Sequence, residues 1–261
     1  MGITERLEID NELFSAELVD QIAVMMFKKD LLLYVSDLNL KELLFDYLDG
    51  LSKNDNVRLI LIIGSPEKKG VEDYLNFYTD VFNSGRDLNE LERLYNAVNQ
   101  FILNIVRLDK TVIHADSGKV ISVFMNIALS CDYRIIGDNT EFENPYLQFG
   151  LVPKGGGAYF LPKMIGRGRA FEILTSDHTI DATEALKLGI VDKVFPSENL
   201  YEEALNTAKK FVERPEGTLW GIKRLLNYDL KDLEKYLEYE NEALRLIIKS
   251  SSFLLSKTKD K

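Results

Sequence analysis

Short apolar runs separated by polar breaks set the first expectations for this chain. IAVMMF (22–27) and LLLYV (31–35) flank Lys28-Lys29-Asp30, which predicts a hairpin about that polar centre. Leu40, Leu43, Leu44, Tyr47, Leu48 and Leu51 recur at helical spacing, so 39–53 is expected to be an amphipathic helix. Asn54-Asp55-Asn56 ends that pattern. VRLILIIG (57–64) is apolar at nearly every position, as a strand covered on both faces should be. The polar segment SPEKKG (65–70) predicts a loop, 87–107 a long amphipathic helix, and TVIHAD (111–116) a strand. ISVFMNIALS (121–130) reads as a buried helix and CDYRIIG (131–137) as a second buried strand. EFENP (141–145) reads as a short turn-rich segment, and Pro153 with Gly155-Gly156-Gly157 as a loop before an apolar stretch, 158–165.

Strands alternating with helices predict an α/β fold with parallel pairing. After about residue 197 only helical patterns remain: 199–213, 217–227 and 230–249. The chain is therefore expected to divide into an α/β core, 1–196, and a helical layer, 197–261, that packs on it. No internal repeat or low-complexity segment interrupts it.

Composition narrows the class. Of 261 residues, 46% are hydrophobic and 28% charged, enough to build a core. Acidic residues outnumber basic ones 42 to 32, a net charge of −10, which argues against nucleic acid as a partner. A single cysteine, Cys131, excludes an intrachain disulfide. The first ten residues have no leader-type apolar stretch, and Arg6 stands where the myristoylation pattern requires Ser or Thr. No apolar run is long enough for a membrane span. A cytoplasmic protein without a membrane partner is expected.

Residues 110–196 resemble the most recognisable block of the crotonase (enoyl-CoA hydratase/isomerase) superfamily. The ordered matches are Gly118, Cys131-Asp132, Phe142, Pro145, Gly150, Pro153, Gly156-Gly157, Leu161 and Gly166. Thr175, Ile180, Ala182, Glu184-Ala185, Gly189 and Val191 follow. The resemblance implies an α/β fold, a crotonase-like ββα spiral with a helical C-terminal layer. It also implies a homotrimer or a dimer of trimers, and an acyl-CoA thioester as substrate with no cofactor beyond that coenzyme A.

The chemistry implied is stabilisation of a thioester enolate by two backbone N–H groups. Donors aimed at developing charge contribute about 3–4 kcal/mol each where measured. In the loop after 57–64 the resemblance assigns one donor to Lys69, beside Gly70; Lys68 and Lys69 are also within reach of coenzyme A phosphates on this reading. The second donor falls on Val123, at the start of the buried helix. Ser122, Val123 and Phe124 replace the glycines usual there and narrow the site. Gly155 and Gly156 fall near the reaction centre. The two glutamates of a hydratase correspond to Asn126 and Tyr146. An amide exchanges no proton, and a phenol near its reference value of about 10 is a poor base.

Ordinary hydration is therefore not expected. Decarboxylase, lyase or isomerase chemistry through an enolate fits better, with Tyr146 and Asn126 as the catalytic pair. A non-catalytic thioester-binding subunit and an acyl-CoA hydrolase remain open alternatives, and Glu141 and Glu143 flank the site. His114, in an apolar strand, and His178, in a loop, lie too far apart to define a metal site. Ser117 and Ser122 lack the context of a hydrolase nucleophile, and Gly155–Gly157 lack the Lys-Ser/Thr of a phosphate loop.

Overall fold

The computed structural model describes residues 7–28, 32, 37–83 and 88–250. The hairpin at the start is not the expected one. β1 (Ile9–Asp10), β2 (Phe14–Val19) and β3 (Ile22–Phe27) form an antiparallel meander, and Val19 pairs with Ile22 across Asp20-Gln21. Asp20 takes φ +56°, the left-handed conformation a two-residue hairpin turn requires. The other expected arm, 31–35, lies outside the described residues except for Leu32.

Helix α1 (Leu38–Lys53) begins where the Asp37 carboxylate accepts from the N–H groups of Asn39 and Leu40 at 2.8 and 3.1 Å. Its Leu44, Tyr47, Leu48 and Leu51 are buried on one face. β4 (Leu59–Ile63) is buried at every residue because β3 and β5 (Thr111–Asp116) pair with it in parallel on either side. Between β4 and β5 run α2 (Val71–Asn83) and α3 (Leu88–Arg107). Sequence analysis left α2 unassigned, although Tyr74, Phe77, Tyr78 and Val81 are buried at helical spacing.

After β5 the chain turns at Gly118 (φ +71°) into β6 (Lys119–Ile121), which belongs to a second sheet and leads directly into α4 (Ser122–Ala128). β7 (Tyr133–Gly137) then returns beside β5. The larger sheet runs β1-β2-β3-β4-β5-β7-β10, ending on β10 (Lys193–Phe195). The smaller runs β6-β8-β9, with β8 (Glu141–Glu143) and β9 (Ile180–Asp181). EFENP is thus half strand, because Phe142 must pair with Val120 and Ile180 to complete the second sheet. Asp132 ties these parts together: its carboxylate accepts from Val112 N–H at 2.8 Å and pairs with the Lys223 ammonium at 2.9 Å.

The short helices α5 (Gly157–Ile165), α6 (Arg167–Leu174) and α7 (Ala182–Leu188) pack around the smaller sheet. Three helices close the chain: α8 (Leu200–Val212), α9 (Glu216–Leu226) and α10 (Leu230–Ser250). α8 covers one face of the larger sheet with Leu200, Ala204 and Ala208, while α1 and α3 cover the other. α10 lays Leu233, Leu237 and Leu244 against α2 and α3. Among the described residues no helix is long and apolar enough to cross a membrane.

Candidate active site

Parallel strands leave a crevice beyond their carboxyl ends, and ligands bind there in open α/β sheets. In this chain a cavity of about 160 Å³ opens beyond β4 and β5. Ile62, Gly64, His114 and Asp116 form its floor. Leu44 and Phe45 of α1, Phe77 and Val81 of α2, Leu94, Val98 and Phe101 of α3, and Phe124 and Ile127 of α4 form its walls. Lys68, Ser65 and Asp73 add polar atoms near the loop after β4.

That loop is held by carboxylates. The Lys68 ammonium pairs with Asp116 and donates to the Ser65 carbonyl at 3.0 Å. Asp116 presses so closely over Gly64 that a Cβ there would stand 2.2 Å from its Oδ1, which requires glycine. The Lys69 N–H donates to Asp73 at 2.6 Å, and the Lys69 ammonium to Glu72 at 3.1 Å. Gly70 takes φ +67°, where a Cβ would meet Glu143 Oε2 at 2.3 Å. The same Glu143 oxygen accepts from Val71 N–H at 2.9 Å. Both lysines nominated for phosphate contact are therefore paired within the protein, and the nominated donor N–H of Lys69 already has a carboxylate acceptor.

At α4, Ile121 precedes the helix and no side chain caps it. Its first N–H groups, Val123 among them, have no acceptor within the helix. Ser122 and Val123 are buried and share a small pocket of about 20 Å³ with Tyr74, Tyr78, Tyr95, Tyr146 and Lys154, room for little more than a water. Phe124 faces the larger cavity instead.

Asn126 is fully buried. Its amide donates to the Lys154 carbonyl at 2.9 Å, while its Oδ1 has no partner among the described residues. It packs against the glycine turn: a Cβ on Gly157 would come within 2.5 Å of the Asn126 nitrogen, and one on Gly155 within 3.2 Å of Asn126 Cβ. Glu240 of α10 reaches the same turn, accepting from Gly155 and Gly156 N–H at 3.0 Å each and from the buried Lys154 ammonium at 2.8 Å. Burial is the leading influence on Lys154 and lowers its pKa, opposed by Glu240.

Tyr146 lies in a 3₁₀ turn, Pro145–Phe149, and its hydroxyl donates to the Leu174 carbonyl at 2.7 Å. Burial raises its pKa well above the ordinary phenol value. The nominated residues thus fall into three groups. Lys69 and Gly70 lie in the carboxylate-held loop, Ser122, Val123 and Tyr146 around the small pocket, and Asn126, Gly155 and Gly156 in the glycine turn. Sequence analysis did not nominate His114, Asp116 or Asp73. Its signal for the first two was there: two polar residues at i and i+2, on one face at the carboxyl end of an apolar strand.

A family model described as enoyl-CoA hydratase/isomerase matches residues 40–256. A short-chain-enoyl-CoA hydratase of Clostridium acetobutylicum is 29% identical over 215 residues, 78% of this chain and 77% of the relative. A crotonyl-CoA hydratase of Syntrophomonas wolfei is 26% identical over 210 residues, 77% of this chain and 76% of the relative. A crystal structure of an enoyl-CoA hydratase from Bacillus halodurans superposes with a TM-score of 0.76 at 20% identity, covering 91% of this chain and 96% of that one, a likeness of fold.

Proposed function

The chain belongs to the enoyl-CoA hydratase/isomerase family, and from that premise we propose that it binds an acyl-CoA thioester with the acyl group in the cavity beyond β4 and β5. We propose further that it acts through a thioester enolate, by lyase, decarboxylase or isomerase chemistry, and not by hydration. The observation that carries this reading is the state of Asn126 and Tyr146. The Asn126 amide and the Tyr146 hydroxyl both donate to backbone carbonyls. Neither has a proton-accepting carboxylate, and burial raises the Tyr146 pKa. A water held for addition needs a base and an acid of suitable pKa, which these two residues do not supply.

The apolar walls of the cavity suit an acyl chain, and the uncapped start of α4 leaves the Val123 N–H for the thioester oxygen. The test is a purified-protein assay of crotonyl-CoA hydration beside a panel of malonyl-, butyryl- and 3-enoyl-CoA. Turnover of a panel member without hydration supports the reading, and hydration at a rate ordinary for an enzyme removes it.

A second reading, a thioester-binding subunit without turnover, is favoured by one contact. Asp73 occupies the Lys69 N–H, and a carboxylate there competes with the substrate oxygen for the donor. The assembly proposed is a trimer or a dimer of trimers. Its support within the chain is the apolar surface of the C-terminal helices, where Leu225, Leu226 and Tyr228 are 76%, 75% and 86% exposed.

A further inference from the structure

We propose that His114 is the proton-transfer residue of this site, taking the proton α to the thioester carbonyl of a bound acyl-CoA whose acyl group is uncharged. The inference deepens the reading above and rests on it.

Strand alternation places the imidazole. Val112 packs with α1 and α3, whereas Ile113 and Ala115 pack with α8 on the opposite face of the sheet. His114 and Asp116 therefore share the face of Val112, and both line the cavity at the carboxyl end of β5. His114 is 9% exposed; it borders this cavity and, on another side, a smaller pocket shared with Met125 and Arg134. Buried polar groups are satisfied as a rule. An imidazole withdrawn from bulk water at the edge of a cavity is placed to meet a group bound there.

Its surroundings keep it a base. Burial lowers its pKa first of all, Asp116 opposes this, and Lys68 and Arg134 reinforce it. The Asp116 charge is itself balanced by the Lys68 ammonium. Among the described residues, Lys28, Asp73 and Asp80 are the other charged side chains on the cavity. The neutral ring carries one nitrogen with a free lone pair, the state a general base needs at neutral pH.

The step balances without a co-reactant. The α C–H bond breaks, its electron pair moves into the enolate with charge on the thioester oxygen, and the proton forms an N–H bond on His114. In return, that proton goes back to the α carbon or, in a 3-enoyl thioester, to the γ carbon as the double bond shifts. The lining selects the substrate. Phe77, Val81, Phe101 and Phe124 present apolar walls, so an acyl group bearing its own carboxylate is disfavoured. Proton abstraction is thereby preferred to decarboxylation as the route to the enolate.

The experiment uses the full chain and butyryl-CoA. Binding is measured by calorimetry, and exchange of the α protons in D₂O by NMR, for wild type, His114→Gln and His178→Gln. We expect His114→Gln to bind within about twofold of wild type and to exchange roughly 10²- to 10⁴-fold more slowly, the usual range for a general base. Wild-type exchange should fall on acidification below the ordinary histidine value, a limb His114→Gln lacks. His178, on the surface beside Glu184, should be replaceable without effect. His114→Asn carries the same comparison if His114→Gln does not fold. Bound butyryl-CoA with no exchange by wild type, or equal exchange by a folded His114 variant, overturns the assignment. Absence of binding to any acyl-CoA overturns instead the functional reading beneath it.

Discussion

The backbone N–H of Lys69 donates to the carboxylate of Asp73 at 2.6 Å, across the first turn of α2. If Lys69 is the thioester donor, Asp73 is its built-in competitor. Asp73→Ala should tighten acyl-CoA binding by about tenfold, some 1.4 kcal/mol. It should also cost about 0.5–1.5 kcal/mol of fold stability, the worth of the one hydrogen bond removed. Calorimetry and thermal melts read the two effects separately. Unchanged affinity in a folded Asp73→Ala protein would move the donor away from Lys69.

Tyr146→Phe separates packing from chemistry. The ring is retained, but the half-buried Leu174 carbonyl loses its donor, a loss worth about 0.5–1.5 kcal/mol. With its hydroxyl so engaged, we expect the variant to lower stability and to change turnover by less than about tenfold. A fall of a hundredfold or more, the scale of a lost oxyanion contact, would return Tyr146 to the reaction itself.

Glu240 should be a stability determinant. It joins α10 to the glycine turn through Gly155, Gly156 and Lys154, and accepts from the Tyr236 hydroxyl on its own helix. Removing one member of a buried ion pair costs about 3–5 kcal/mol because the other charge is left unpaired. Glu240→Ala should therefore unfold at much lower denaturant concentration than Glu238→Ala on the same helix.

Stability should fall with acidification through the histidine range. His114 has a folded pKa below its unfolded value of about 6.5. As pH drops past that value the unfolded chain binds a proton that the folded chain refuses, so folding weakens until the lower, folded pKa is reached. The contribution is present above pH 6.5 and lost beneath it. Melting temperatures recorded from pH 7.5 down to 5.5 should decline in wild type and flatten in His114→Gln.

Much of the scaffold was legible because local pattern and burial agree. The wholly apolar LILII could only be a strand covered on both sides, and the spacing of Leu44, Tyr47, Leu48 and Leu51 could only serve one helical face. Lys28-Lys29-Asp30 misled because polar residues between apolar runs signal a turn whichever strands it joins. The actual hairpin turns at Asp20-Gln21, with a partner strand, FSAELV, too polar on alternate positions to stand out. The site was less legible because its contacts span the chain. Glu240 meets Gly155 over 85 residues and Lys68 meets Asp116 over 48. Asn126 and Tyr146 could be located by resemblance, but only the fold shows their polar atoms turned to the Lys154 and Leu174 carbonyls.

Binding of acyl-CoA is the claim on which the rest depends, and calorimetric titration of the full chain with acetyl-, butyryl- and malonyl-CoA, with free coenzyme A as reference, tests it most directly. The account predicts saturable one-site binding of at least one thioester, tightest for butyryl-CoA, whose uncharged chain fits the apolar walls formed by Phe77, Val81, Phe101 and Phe124. A preference for malonyl-CoA would contradict the apolar fit alone, and no binding across the whole panel would contradict the account.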